Sequence, residues 1–264
     1  MLGLTEIDLQ PAQTLTLAER VALFNAGYEG YVVPLHVEEP MLTLMERSFD
    51  VDLDASRVAF RDGEAVGFAN LAIRGDEGWI AGVGVVPAAR RSGVGEALMR
   101  AVHDEARARG LKRVWLEVIV ENTGAFALYE KLGYRTVRDV EVWSLPLSVS
   151  VSSDARDVPA DEAHARIREI REEHEPWQRA DGTLAHHSDL RGLATDAGAA
   201  VYRQPGEHVQ LLQLAGEAEP LLRALRVLGP VSVLNLPVDD PASPVLRELG
   251  AAVAVRQHEM VLDL

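Results

Sequence analysis

Apolar and polar residues along this chain follow two periods, and the points where the period switches outline its elements. Val94, Ala97, Leu98, Ala101 and Val102 fall at i, i+3, i+4, i+7 and i+8, the stripe of a helix packed on one face, and Gly110 ends it. Lys112 to Val120 then alternates, with Val114, Leu116 and Val118 on one face and Trp115, Glu117 and Ile119 on the other, which predicts a strand. Next, Asn122 suits an N-cap, Ala125, Leu128, Tyr129 and Leu132 form a second apolar stripe, and Gly133 suits a C′ position. Upstream, Leu2 to Ile7 reads as a first strand. Thr16 caps a helix carrying Leu17, Val21, Leu23 and Phe24, Tyr28 to Pro40 reads as irregular, and Met41 to about Phe49 as a second helix. Val58–Arg61 and Ala65–Ile73 flank Asp62-Gly63, a dipeptide suited to a type I′ hairpin turn. Trp79–Val86 is a strand before the first glycine-bearing helix, and Tyr134–Leu145 reads as two closing strands.

Leu147 to Ser153 marks a junction, its serines suggesting a linker and its alternation a strand. Beyond it, Asp161–His174 reads as a charged helix, and Ala199–Arg203 with His208–Ala215 as a hairpin around Pro205-Gly206. Glu219–Leu228 is a helix ending at Gly229, Val231–Leu236 a strand, Pro244–Leu249 a short helix before Gly250, and Ala251–Leu264 the last strands. This order repeats the first half: Val231–Pro237 parallels Val114–Val120, and Pro244–Gly250 parallels Leu128–Gly133. Two domains are therefore expected, residues 1–146 and 147–264.

Composition narrows the class. A chain of 264 residues that is 47% hydrophobic and 25% charged fits one large globular domain or two of ordinary size. With no cysteine there is no disulfide frame, thiolate metal site or cysteine nucleophile. The sequence shows neither a spanning apolar run nor a signal peptide, so the expected location is cytoplasmic. A formal charge of −15 argues against nucleic acid or an anionic membrane as partner and favours a cationic or amine substrate.

The candidate chemistry lies between the strand Trp79–Val86 and the helix that follows. A helix start leaves about four backbone N–H groups unpaired and carries partial positive charge, and glycines there let a bulky anion reach the backbone. Arg90-x-x-Gly93-x-Gly95 has this form. No Gly-Lys-Ser/Thr follows, as a nucleotide P-loop requires, and the third glycine of a dinucleotide fingerprint is missing. The segment resembles the pyrophosphate arm of the GNAT superfamily, the Gcn5-related N-acetyltransferases. Asn122-x-x-Ala125-x-x-Leu128-Tyr129-x-x-Leu132-Gly133-Tyr134 resembles that family's second motif at every position. The two motifs stand in order, and the resemblance covers roughly residues 1 to 145.

The resemblance implies an α/β (α+β) GNAT fold, a mixed, mostly antiparallel sheet flanked by helices, repeated as a degenerate second domain. It implies acetyl-CoA as cosubstrate, held by Val83, Gly84 and Val85 of a bulged strand, by Arg90, Arg91, Ser92, Gly93, Val94 and Gly95 of the arm, and by Asn122 and Phe126. Tyr129 is then the candidate general acid for the departing thiolate, or a core tyrosine on its stripe. Glu117 is the candidate general base, resembling the glutamate of Leu-Glu-Val in ribosomal-protein N-terminal acetyltransferases, or a structural ion-pair partner. The expected reaction is direct transfer of acetyl to a primary amine of a small molecule or peptide; the alternative is a non-catalytic acyl-CoA-binding or sensing protein, and a larger acyl group stays open. The second half has no glycine arm: Ala215-Gly216-Glu217-Ala218-Glu219-Pro220 sets two acids where a phosphate would bind. Glu38 and Glu39 either attract an ammonium or are solvated. His186-His187 has no obvious third ligand, so no metal is expected, and Trp177 reads as core. The protein is expected to be a monomer with an intrachain pseudo-dimer, or a homodimer.

Overall fold

Thr16 opens the first helix through a capping box: its hydroxyl accepts from Glu19 N–H while the Glu19 carboxylate accepts from Thr16 N–H. The computed structural model describes residues 7–149, 153–171 and 174–264. In order, the elements are β1 (Asp8–Pro11), α1 (Leu17–Gly27), α2 (Glu39–Ser48), β2 (Arg57–Arg61), β3 (Glu64–Arg74), β4 (Glu77–Val85), α3 (Val94–Ala108), β5 (Arg113–Ile119), α4 (Thr123–Lys131) and β6 (Arg135–Leu145). They continue with β7 (Arg156–Val158), α5 (Ala160–Ile170), α6 (Asp181–Leu184), β8 (Arg191–Ala194), β9 (Gly198–Arg203), β10 (Val209–Gly216), α7 (Ala218–Leu228), β11 (Val231–Pro237), α8 (Ala242–Glu248) and β12 (Ala252–Asp263).

Packing divides the chain into two units. The first runs through Val137 and takes in Glu259–Leu264; the second is Arg138–His258. The division thus falls inside β6 rather than at the serine-bearing stretch. In the first unit β1-β2-β3-β4 are antiparallel neighbours, β4 and β5 are parallel, and the end of β12 follows β5, where Leu264 N–H donates to Lys112 O at 2.9 Å. In the second unit β7-β8-β9-β10 are antiparallel, β10 and β11 parallel, and β11 pairs antiparallel with β6. The two repeats therefore exchange their last strands. β6 follows α4 in sequence but completes the second unit, and the end of β12 follows α8 but completes the first.

Each unit has helices on both faces of its sheet. In the first, Leu98, Met99, Val102 and Ala106 of α3 and Tyr129 of α4 pack on Leu71, Val114, Leu116 and Val118, with Met260 and Leu262 joining from the returning strand. Leu23 and Phe24 of α1 and Leu42 of α2 cover Val58 and Phe68 on the other face. In the second unit α7 and α8 pack on one face and α5 on the other. Burying such side chains contributes about 1.5–3 kcal/mol each, which is why the period-3.6 stripes read from sequence became these faces.

Several expectations shift. The first strand is Asp8–Pro11, and Leu2–Glu6 of the expected strand lie outside the described residues. Tyr134–Leu145 holds one strand, not two, because it spans from one unit into the other, and Ala251–Leu264 likewise holds a single long strand. The helix expected over Asp161–His174 ends at Ile170, where Arg171 turns extended (ψ 132). Ser150–Ser152 lie outside the described residues, so the linker-or-strand alternative there stays open. The Asp62-Gly63 turn has φ of 52 and 81, the pair of positive values a type I′ turn requires. Trp177 is buried, as expected.

Candidate active site

The parallel pair sets the geometry. β4 and β5 pair only over Glu77–Trp79 with Arg113–Trp115 and then diverge, leaving Ile80–Val85 without a ladder partner on that side. On the other side the β3–β4 register slips between Asn70/Leu71 and Gly82/Ile80, so Ala81 is the extra residue of a bulge. The resemblance implied a bulged strand at Val83–Val85; the irregularity in β4 falls at Ala81, just before it.

From Val85 the chain crosses residues 86–93 before α3 begins. Gly93 is the N-cap at φ 86, a left-handed conformation that a β-carbon would strain, and nothing lies within 4 Å of where that carbon would be. Arg91 also has positive φ, 60. At Gly95 an added β-carbon would meet Leu128 and Val85 only at 3.8 Å. The first turn of a 15-residue helix thus presents its N–H groups with no side chain in front of Gly93. Ser92 Oγ donates to Ala89 O at 2.6 Å and accepts from Arg61 at 3.1 Å, fixing the turn. These residues fit a coenzyme A pyrophosphate: open amides, no β-carbon at the cap, and a diverging strand pair beside them.

Arg90 does something the motif did not disclose. Its Nε donates to Val85 O at 2.9 Å, and Nη2 donates to Gly27 O at 3.2 Å and Glu29 O at 2.5 Å. The arm arginine therefore ties the arm to the end of α1, whereas Arg91 is exposed. That end packs directly on β4: a β-carbon on Gly84 would overlap Phe68 and lie 3.2 Å from Gly27 Cα.

This packing brings in two residues that sequence reasoning left in an irregular stretch. The Tyr28 hydroxyl lies 3.0 Å from where a β-carbon of Gly82 would be. Burial pushes its pKa well above the usual phenol range, Tyr31 and Tyr129 add to the rise, and the Val83 backbone N–H pulls the other way. Tyr31 packs edge-on to Tyr28 at 5.1 Å; its pKa is also raised by burial, with the Asn122 side chain opposing. Tyr129 on α4 is buried, and burial first, then Tyr31, raises its pKa. Three phenols, Val83 and Asn122 thus meet at the divergence of β4 and β5. The sequence signal that could have found Tyr28 and Tyr31 is their position directly after a helix ending in glycine.

Asn122 caps α4, its Oδ1 accepting from Ala125 N–H at 3.2 Å. Phe126 packs half-buried against the α3–α4 core. Glu117 accepts from Trp79 Nε1 at 2.7 Å. It alternates with Leu116 and Val118, so it faces away from the core cluster that holds Tyr129. Glu38 caps nothing with its side chain, and both Glu38 and Glu39 are exposed at the start of α2. Among the described residues no group of three or more His, Cys, Asp or Glu could hold a metal ion, and no helix is long and apolar enough to cross a membrane.

Residues 24–134 match the model of the Acetyltransferase (GNAT) family. The chain is 33% identical over 102 residues to the [Ribosomal protein bS18]-alanine N-acetyltransferase of Escherichia coli K12, covering 69% of that protein with 34% of this chain. The chain belongs to the acetyltransferase (GNAT) family. It is an acyltransferase, and this family uses acetyl-CoA. The fold of the whole chain is similar to that of a GCN5-related N-acetyltransferase from Sphaerobacter thermophilus, with TM-score 0.76 and 16% identity over 97% of this chain and 95% of that one. It is also similar to a tandem GNAT protein from the clavulanic acid biosynthesis pathway, with TM-score 0.65 and 15% identity over 98% of both. The tandem GNAT arrangement inferred from the repeat is the arrangement of this fold.

Proposed function

We propose that this protein transfers the acetyl group of acetyl-CoA to a primary amine by direct attack in a ternary complex, with the N-terminal half (residues 1–146) carrying the chemistry. The observation that carries the reading is the Gly93-capped start of α3, open beside the diverging β4 and β5. Acetyl-CoA supplies the activated acyl group; the chain's own residues bind it, place the amine and move protons. The N–H groups of Val94 and Gly95 bind phosphate oxygens, and the N–H groups of Val83–Val85 hold the pantetheine arm and the acyl oxygen. Asn122, beside Tyr31, adds a side-chain contact.

Tyr129 holds a proton for the departing thiolate. Its raised pKa keeps the hydroxyl protonated at any physiological pH, and the same desolvation raises the affinity of the thiolate for that proton. Glu117, aligned by Trp79, accepts the amine proton directly or through water. The absence of cysteine removes a thioester on the enzyme. The acceptor is a small-molecule or peptide amine: the similarity to a ribosomal-protein alanine acetyltransferase supports a peptide terminus, and the acidic chain supports a cation.

The second half (residues 147–264) is read as a degenerate copy that does not bind coenzyme A. β10 passes into α7 through Glu217 alone, with no arm between them. Gly216 is packed so tightly that a β-carbon would overlap Ala197 O. Titration calorimetry of acetyl-CoA against the full chain tests the site, with Gly93→Asp as control: binding to the wild type, lost in the variant, is expected. A screen of amine acceptors follows, in which Tyr129→Phe and Glu117→Gln lower turnover by about 10²-fold while keeping coenzyme affinity. Full activity in both variants would refute the roles. Binding with no turnover on any amine would favour the alternative, a non-catalytic acyl-CoA-binding or sensing protein.

A further inference from the structure

Val86 N–H donates to Val66 O at 3.0 Å, so by the alternation of an antiparallel pair the amides of Gly84 and Gly82 face β3. Those of Val85 and Val83 face the side from which β5 has withdrawn. The Val83 amide is already engaged there: it donates to the Tyr28 hydroxyl. The same hydroxyl lies 3.0 Å from where a β-carbon of Gly82 would stand. Both relations put the Tyr28 oxygen at Gly82–Val83, on the open edge of β4.

The phenol is held from several directions. Its ring lies 4.7 Å from that of Phe24 and 5.1 Å, edge-on, from that of Tyr31, with Phe68 at 6.1 Å. Arg90 of the arm donates to the carbonyls of Gly27 and Glu29, the residues on either side of Tyr28. The strand gives no room on the α1 side, since even a β-carbon on Gly84 would overlap Phe68. Displacing Tyr28 therefore means undoing the ring packing and the Arg90 tie together.

We propose that Tyr28 closes the acyl pocket, so that the site accepts an acetyl group and rejects longer acyl chains. The inference rests on the coenzyme reading above. With the phosphates at the start of α3, the pantetheine arm runs back along β4 from Val85 toward Val83. A thioester carbon bears oxygen, sulfur and the acyl tail in one plane. With the oxygen on the Val83 amide and the sulfur on the Val85 side, the tail points on toward Gly82, where the Tyr28 hydroxyl stands. An acyl oxygen received by that amide touches the hydroxyl whether it shares the N–H or edges the phenol aside. A methyl asks least of this wall, and each further methylene must be driven into the phenol. One methylene against such a wall is worth about 10- to 200-fold in discrimination.

Calorimetry on the full chain with free coenzyme A and with acetyl-, propionyl-, butyryl- and hexanoyl-CoA tests this without an acceptor amine. The wild type should bind acetyl-CoA about tenfold or more tighter than butyryl- or hexanoyl-CoA. Tyr28→Phe keeps the ring and removes only the oxygen, and it should bring propionyl-CoA to within about threefold of acetyl-CoA. Tyr28→Ala should do the same for butyryl-CoA; should it fail to fold, the phenylalanine variant decides. Free coenzyme A should bind all three proteins within about twofold, whereas a general loosening of the site would weaken it along with the acyl forms. Equal binding of acetyl- and hexanoyl-CoA by the wild type, or discrimination unchanged in the Tyr28 variants, overturns the role of Tyr28 and leaves coenzyme binding standing. Failure of free coenzyme A and of every acyl-CoA to bind would overturn the coenzyme reading, and this inference with it.

Discussion

His103 lies on the buried face of α3, 3% exposed, with Nε2 2.9 Å from the Tyr134 hydroxyl. Burial, reinforced by the nearby Arg107 and Arg100 charges and opposed by Asp104, lowers its pKa from 6.5 to about 4. A depressed folded-state value means that the unfolded chain binds the proton more readily. The stability from keeping His103 neutral is therefore fully present above about pH 6.5 and is lost as pH falls toward 4. The gap is worth about 3 kcal/mol in all, of which about 2 kcal/mol disappears between pH 7 and pH 5. Urea unfolding of the wild type and His103→Gln at pH 7, 6 and 5 isolates this effect, since glutamine can still bond Tyr134 but does not titrate. The wild type should lose about 2 kcal/mol more than the variant over that range. Parallel losses in the two proteins would refute the assignment of a buried, neutral histidine.

Other outcomes follow from the site's framework. Gly84→Ala sets a β-carbon into Phe68 and against Gly27, so it should cost about 1–3 kcal/mol, read as a lowered thermal midpoint. Arg90→Gln removes the tie between the arm and the Gly27 and Glu29 carbonyls; hydrogen exchange should quicken at Tyr28–Tyr31, and KM for the amine should rise more than the affinity for acetyl-CoA falls. Trp79→Phe deletes the donor that aligns Glu117, and kcat should fall about tenfold with acetyl-CoA affinity retained, a split that a general loss of stability would not produce.

Much of this protein was legible locally. The Gly93 cap and the Asn122 cap depend on signals within a few residues, namely cap side chains, positive-φ glycines and apolar periodicity, and a sequence displays those directly. The Asp62-Gly63 hairpin depended on two adjacent φ values. The helix read over Asp161–His174 overran because charged residues continue past Ile170 without a period to mark the stop.

What only the tertiary structure decided involves partners far apart in the chain. The tie from Arg90 to Gly27 and Glu29 joins residues more than sixty positions apart, and Trp79 meets Glu117 across 38. No motif records such pairings, because they arise from two strands and a helix end packing together. Tyr28 and Tyr31 enter the site only because Gly27 and Gly84 let α1 lie directly on β4. The exchange of last strands is equally invisible, since β6 and the end of β12 carry a strand pattern that either sheet would accept. Local periodicity determines that a segment is a strand and which of its faces is apolar; which edge it joins is set by the contacts of the folded chain.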